Sequence, residues 1–193
     1  MNIRSNDRLF NQLKGGIYHS TSISGYCGIR ATGAILPNRG LFPFSHSQTG
    51  HSCCYELGAI SLLDLRIPSK RPLVGRGVWA NWITFLSNHE PITILLDIDP
   101  SRLSEPLQDY DSLQDRLPDH TMVAEAEVCY AGSIPFDSVR RCFLVCARRH
   151  TLFRIIPGNN VSDIQISSTE ALFQKTLGPL SPPWSDVFNL RYE

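Results

Sequence analysis

Apolar positions fall mostly in short runs, divided by clusters of Gly, Pro, Ser and Asp rather than joined into long amphipathic stretches. This spacing predicts strands with few helices between them. A short helix is predicted over 8–14. GGIYHS (15–20) then reads as a first strand, entered through Gly15 and Gly16. Ser22 or Ser24 is placed to cap a helix over 23–32, with Ile23, Cys27 and Ala31 on one face and Gly33 as its left-handed terminator. Residues 39–56 lack periodicity and read as a long loop, a length usually kept for function. LGAISLLDLRI (57–67) is apolar nearly throughout and predicts a buried strand stopped by Pro68. VWANWITFLSN (78–88) predicts a helix with Trp79, Trp82 and Phe85 inward, and PITILLDID (91–99) a second core strand. VAEAEVCY (123–130) alternates as a half-buried strand does, and AGSIPFDSV follows as a turn with a short helix. RRCFLVCA and HTLFRIIP predict two more strands, and TEALFQKTL a modest helix in the tail. The pattern is that of one α+β domain over 1–193, with mostly antiparallel or mixed strand pairing.

Composition narrows the function classes. Eighteen basic and eighteen acidic side chains cancel, so the molecule as a whole exerts no field that would favour broad, non-specific binding of nucleic acid or acidic membranes. Between Asp97 and Glu127 there are nine carboxylates against two arginines, which makes that side locally acidic. No run approaches the roughly 20 apolar residues of a membrane span, and the polar start MNIRSNDRLFNQLK is unlike a signal peptide. No membrane partner is therefore expected. The six cysteines are too sparse for a disulfide scaffold and lack the paired spacing of a zinc site. Reduced thiols, no metal and a cytoplasmic location are expected, with delivery into another cell left open.

Three places carry residue types that packing alone would not choose. The first strand ends in His19 followed by Ser20, Thr21 and Ser22, where a packing strand would continue with Val or Ile. Ser61 interrupts an otherwise apolar strand. Glu125 and Glu127 stand two apart on a strand and so face one surface, where each raises the other's pKa unless a cation or donors are shared. Other patterns fall away. HSCCYE (51–56) offers a thiol and an imidazole, but neighbours on an extended chain point apart. Cys142, Cys146 and His150 have helical ligand spacing inside a run that reads as strand. Arg140, Arg141, Arg148 and Arg149 read as solvated strand ends, and GRG at 75–77 lacks a strand–turn–helix frame.

The three places in this order resemble the ADP-ribosyltransferase superfamily, whose members use NAD and include bacterial toxins and poly(ADP-ribose) polymerases. IYHSTS (17–22) with GIRATGAILPN (28–38) is similar to the family's first strand, helix and exit. GAISLLD (58–64) resembles its central strand, and VAEAEVCYAGSIPFDSV (123–139) its glutamate strand and the turn beyond. The resemblance spans about residues 15–145, within a motif-bearing core of 15–157 that leaves 158–193 as an extension. It implies an ADP-ribosyltransferase-like α+β fold with split, mixed or antiparallel sheets around an NAD cleft and flanking helices.

What the resemblance implies for chemistry follows residue by residue. Glu127 would hold the ribose 2′-hydroxyl and favour the positive charge that develops as nicotinamide leaves. Glu125 would orient the acceptor. His19 would hold a hydroxyl of the nicotinamide-side ribose and the backbone of Ser20 the carboxamide, with Thr21 or Ser22 supporting the strand end. Ser61 would brace Glu127 or contact the ribose. The 39–56 loop, with His46, Thr49, His51 and Tyr55, would close over NAD or touch the acceptor. The motifs mix two branches of the family: arginine-specific members begin with arginine where His19 stands, and histidine-type members place a tyrosine where Ser61 stands. The expectation is an enzyme, a toxin, effector or defence protein, with NAD as co-substrate and a macromolecular acceptor, protein in preference to nucleic acid. NAD glycohydrolase, NAD-dependent RNA 2′-phosphotransferase and a silent nucleotide- or partner-binding module are the rival expectations. The acidic 97–127 stretch speaks against the phosphotransferase.

Overall fold

The structure is a computed structural model, and it describes residues 13–39, 52–66, 93–113, 115–117, 126–146, 151–157, 163–166 and 189–192. The predicted helices over 78–88 and within the tail, and all but the last residues of the one over 8–14, lie outside these residues. So do Glu125, His46, Thr49 and His51.

The chain enters its first strand, β1 (Ile17–Thr21), from a turn at Gly15, whose φ of 87° suits glycine. Helix α1 (Ile23–Thr32) follows directly. The Ser22 hydroxyl accepts from the Gly25 N–H at 3.0 Å, and Gly33 ends the helix at φ 72°. Both caps stand where the sequence predicts them. The inward face differs from the expectation, because Tyr26 and Ile29 are buried whereas Cys27 and Ala31 are exposed. Larger side chains won the interface: Tyr26 meets the ring of Phe136 edge-on at 6.1 Å, and Arg30 lies over the same ring at 4.6 Å.

Next come β2 (Ala34–Ile35), the single turn α2 (Cys53–Glu56), β3 (Ile60–Asp64) and β4 (Thr93–Ile98). Strand β5 (Gln108–Asp109) leads into the turn α3 (Tyr110–Leu113), followed by β6 (Glu127–Tyr130) and β7 (Ile134–Pro135). The last strands are β8 (Val139–Cys146), β9 (Thr151–Pro157), β10 (Asp163–Ile166) and β11 (Asn189–Tyr192). The run predicted as one strand over 57–67 is shorter, because Leu57 caps α2 and Gly58 turns at φ 57°.

Among the described residues nine strands form one sheet in the order β11-β10-β9-β8-β4-β1-β3-β6-β5, and β2 with β7 forms a separate two-stranded ribbon. Among the described residues every strand pair is antiparallel except β10 with β11. The class among the described residues is therefore α+β with a largely antiparallel sheet. The ribbon matters for the site. It pairs Ala34 with Pro135 and Ile35 with Ile134, and the Phe136 N–H donates to the Gly33 carbonyl at 2.8 Å. Hydrogen bonds thus tie the exit of the first motif to the turn beyond the third.

Side-chain alternation sorts the sheet into two faces. Ile17, Ile60, Leu62, Ile94, Leu96, Ile98, Val128 and Tyr130 form one core with Tyr26, Ile29 and Ile134. The opposite face carries Tyr18, Leu63, Cys129 and Glu127, and there α2 and α3 add Cys53, Cys54 and Leu113. Tyr18 anchors that side: its hydroxyl donates to the Leu13 carbonyl at 2.8 Å, and burial first, then the Asp97 charge, raises its pKa to about 12. Arg140 and Arg141 correct the expectation of solvated strand ends. Both guanidiniums bind the fully buried Asp97, at 2.7 and 2.6 Å. An irregularity in the β4–β8 register beside Asp97 allows consecutive residues to reach one carboxylate.

Candidate functional site

The central strands part where the first motif ends. β1 pairs with β4 along all five residues, from Ile17↔Ile98 to Thr21↔Ile94. With β3 it pairs only at Ile17↔Asp64 and Tyr18↔Leu63. Beyond that the ladder opens, and the Ser61 carbonyl would lose a partner on the β1 side. Buried carbonyls need one, and His19 supplies it, with Nδ1 3.1 Å from the Ser61 oxygen. A carbonyl only accepts, so Nδ1 carries the proton in the neutral ring and Nε2 is left as an acceptor. His19 is half-buried, and loss of water around the ring pushes its pKa below the ordinary histidine value, against a smaller upward effect of the Ser61 hydrogen bond. At neutral pH the imidazole is therefore uncharged.

Ser61 joins this histidine to the acid. Its direct cross-strand partner is Cys129, and Leu63 faces Glu127, so Ser61 and Glu127 are diagonal neighbours on one face. The Ser61 hydroxyl donates to Glu127 Oε1 at 2.5 Å, in the short range of charge-assisted O–H···O⁻ bonds. Of the two roles open to Ser61, bracing Glu127 is the one its hydroxyl performs. Glu127 itself is 8% exposed.

The other predicted residues take simpler places. Ser20 is half-buried opposite Leu95. Thr21 is buried, with Oγ1 packed so closely under Gly25 that a Cβ there would collide with it. It supports the tip, and Ser22 caps α1. Tyr55 sits half-buried on α2, where its N–H donates to the Ser52 hydroxyl at 3.2 Å.

Sequence reasoning missed what lies beside Glu127. Cys54 of α2 and Cys129 of β6 form a disulfide with Cα atoms 5.2 Å apart, which corrects the expectation that all thiols are reduced. Cys54 Sγ lies 3.9 Å from Glu127 Oε1, a contact without a proton to share. Cys53 is a buried free thiol whose pKa is raised by burial and then by the Glu127 charge, so it stays protonated. Spacing alone does not reveal such a pairing. Among the described residues no three His, Cys, Asp or Glu side chains are grouped to hold a metal ion, and no helix is long and apolar enough to cross a membrane. Chemically the cluster offers a buried carboxylate held by the Ser61 hydroxyl, a neutral imidazole and a hydroxyl-rich strand tip. No protein-family model matches the chain, and no curated protein matches it.

Proposed function

We propose that the chain is an NAD-dependent ADP-ribosyltransferase, with Glu127 as the residue that stabilises the transition state. The observation that carries this reading is the line His19–Ser61–Glu127, in which the imidazole binds the Ser61 backbone carbonyl at 3.1 Å and the Ser61 hydroxyl binds Glu127 at 2.5 Å. The same three segments carry the resemblance to the NAD-using superfamily.

Leaving of nicotinamide develops positive charge at the ribose carbon. A carboxylate about 4 Å away is worth about 4 kcal/mol at the effective dielectric of a partly screened site. The carboxylate costs little reorganisation because Ser61 already fixes it. Nε2 of His19 is an acceptor suited to a ribose hydroxyl, and its neutrality avoids adding a positive charge beside the one that develops. The acceptor of ADP-ribose is a macromolecule, for which the balanced charge and acidic 97–127 stretch favour protein. The setting of a toxin, effector or defence enzyme rests on resemblance alone, and Glu125 keeps its proposed acceptor-positioning role on the same ground.

The test is nicotinamide release from labelled NAD. Glu127→Gln keeps the shape and removes the charge, and it is expected to lower release by roughly a thousandfold, the rate equivalent of that electrostatic stabilisation. Release that survives this substitution overturns the assignment. Tight NAD binding without turnover by the wild type would favour a silent binding module.

A further inference from the structure

Beyond the β2–β7 ribbon the chain brings Arg39 across to the turn between α2 and β3. There the Arg39 stem lies on Gly58: a Cβ at that position would stand 2.9 Å from Nε and 3.5 Å from both Cδ and Cγ. Gly58 turns at φ 57°, so the position asks for glycine twice, once for its backbone angle and once for the arginine that passes over it. The turn itself is tied down, because the Gly58 N–H donates to the Tyr55 carbonyl at 2.9 Å and the Ala59 N–H to the Cys54 carbonyl at 2.7 Å.

This turn borders the acid. Cys54, which accepts the Ala59 bond, has its sulfur 3.9 Å from Glu127 Oε1. Ser61 follows Gly58 by three residues, about 10 Å along an extended chain. Arg66, Arg102, Arg140 and Arg141 bind carboxylates, and Arg30 lies over Phe136. Arg39 is exposed and pairs with no described carboxylate, so its guanidinium has N–H donors to offer a ligand.

We propose that Arg39 binds the diphosphate of the nucleotide whose ribose meets Glu127. The inference rests on the reading above and adds the residue that recognises the charged half of the ligand. The nicotinamide-side ribose is bonded through its 5′ oxygen to the diphosphate. Docking that sugar on Glu127 therefore brings the ligand's negative charges within one sugar ring of a buried carboxylate. Like charges at that range repel, and a cation beside the acid offsets the repulsion. Arginine suits this place, because its planar fork donates to two phosphate oxygens at once. The stem already rests against Gly58, so binding costs less side-chain freedom than it would for an arginine free in water.

The experiment measures calorimetric binding of two ligands to the wild type, Arg39→Gln and Arg39→Lys. ADP-ribose carries the diphosphate without a nicotinamide to release, and nicotinamide riboside lacks the diphosphate. Nicotinamide release from NAD is followed beside them, and circular dichroism reads the fold. Arg39→Gln is expected to weaken ADP-ribose binding about tenfold or more while nicotinamide riboside binding stays unchanged. Arg39→Lys keeps the charge without the fork and should fall between the two; it carries the comparison if Arg39→Gln loses the fold. Wild-type affinity for ADP-ribose should drop with added salt, and more shallowly in Arg39→Gln. Equal ADP-ribose affinity in wild type and variants overturns the assignment of Arg39 and leaves the enzyme reading standing. An equal loss for both ligands does the same, since the residue would then shape the site rather than hold phosphate. Binding of ADP-ribose that depends on Arg39, without nicotinamide release, supports the diphosphate site and overturns the enzyme reading. A wild type that binds neither ligand overturns both.

Discussion

At the scale of single residues, Ser61 and His19 do different work. Ser61 donates to a nearly buried carboxylate, and a hydrogen bond to a charged group contributes about 2 kcal/mol. If the proposed reaction holds, Ser61→Ala is expected to lower the rate of nicotinamide release by roughly thirtyfold with little change in NAD affinity. Single-turnover kinetics beside calorimetric binding would check this, and an affinity loss of the same size would assign Ser61 to the ligand instead. For His19 the sign follows from its lowered folded pKa. Above the unfolded value of about 6.5 neither state is protonated, and the group adds no pH dependence. As pH falls below that, the unfolded chain takes up a proton that the folded ring resists, so stability declines until the folded pKa is reached. His19→Gln retains an N–H for the Ser61 carbonyl without titrating. Its midpoint of thermal unfolding should fall less between pH 7 and pH 5 than that of the wild type.

At the scale of elements, the tip of β1 and the start of α1 form one unit. Strand and helix meet across Ser22 alone, so the side chains of the tip pack into the first turn. Gly25 is required by that proximity, because a Cβ there would collide with Thr21 Oγ1 and lie 3.3 Å from Ser22 Oγ. Gly25→Ala is expected to destabilise by about 2 kcal/mol through overpacking, against the gain that alanine gives an exposed helix. Urea unfolding decides between the two signs. The β2–β7 ribbon then ties the far end of α1 to the chain beyond β6. Two motifs a hundred residues apart in sequence are thereby set in a common frame.

At the scale of the whole molecule, two long-range links join the sheet. Asp97 on β4 is fully buried, while its partners Arg140 and Arg141 on β8 keep 41% and 44% of their side chains exposed. Asp97→Asn leaves the guanidiniums free to rehydrate, so the expected loss is about 2 kcal/mol rather than the larger cost of a stranded buried charge. A lower urea midpoint at unchanged slope would show it. The Cys54–Cys129 bond spans 75 residues, and in the chain-entropy description closing such a loop stabilises by about 4 kcal/mol.

Local chemistry determined much of this protein from sequence alone. Short apolar or alternating runs marked the strands β1, β3, β4, β6, β8 and β9, and the Ser22 and Gly33 caps bounded α1, because those signals act over a few residues. The residue types of the candidate site were legible for the same reason: an imidazole, a hydroxyl and paired acids stand where packing would prefer aliphatic side chains. Only the tertiary structure decided how they meet. It set the opening between β1 and β3 that His19 bridges, the diagonal that gives Ser61 to Glu127, and the inward turn of Tyr26 over Cys27. It also set the convergence of two arginines on Asp97 and the union of Cys54 with Cys129. Each of these depends on which strands lie side by side and in what register, and pairing between distant segments is fixed by the packing of the whole chain rather than by any stretch of it.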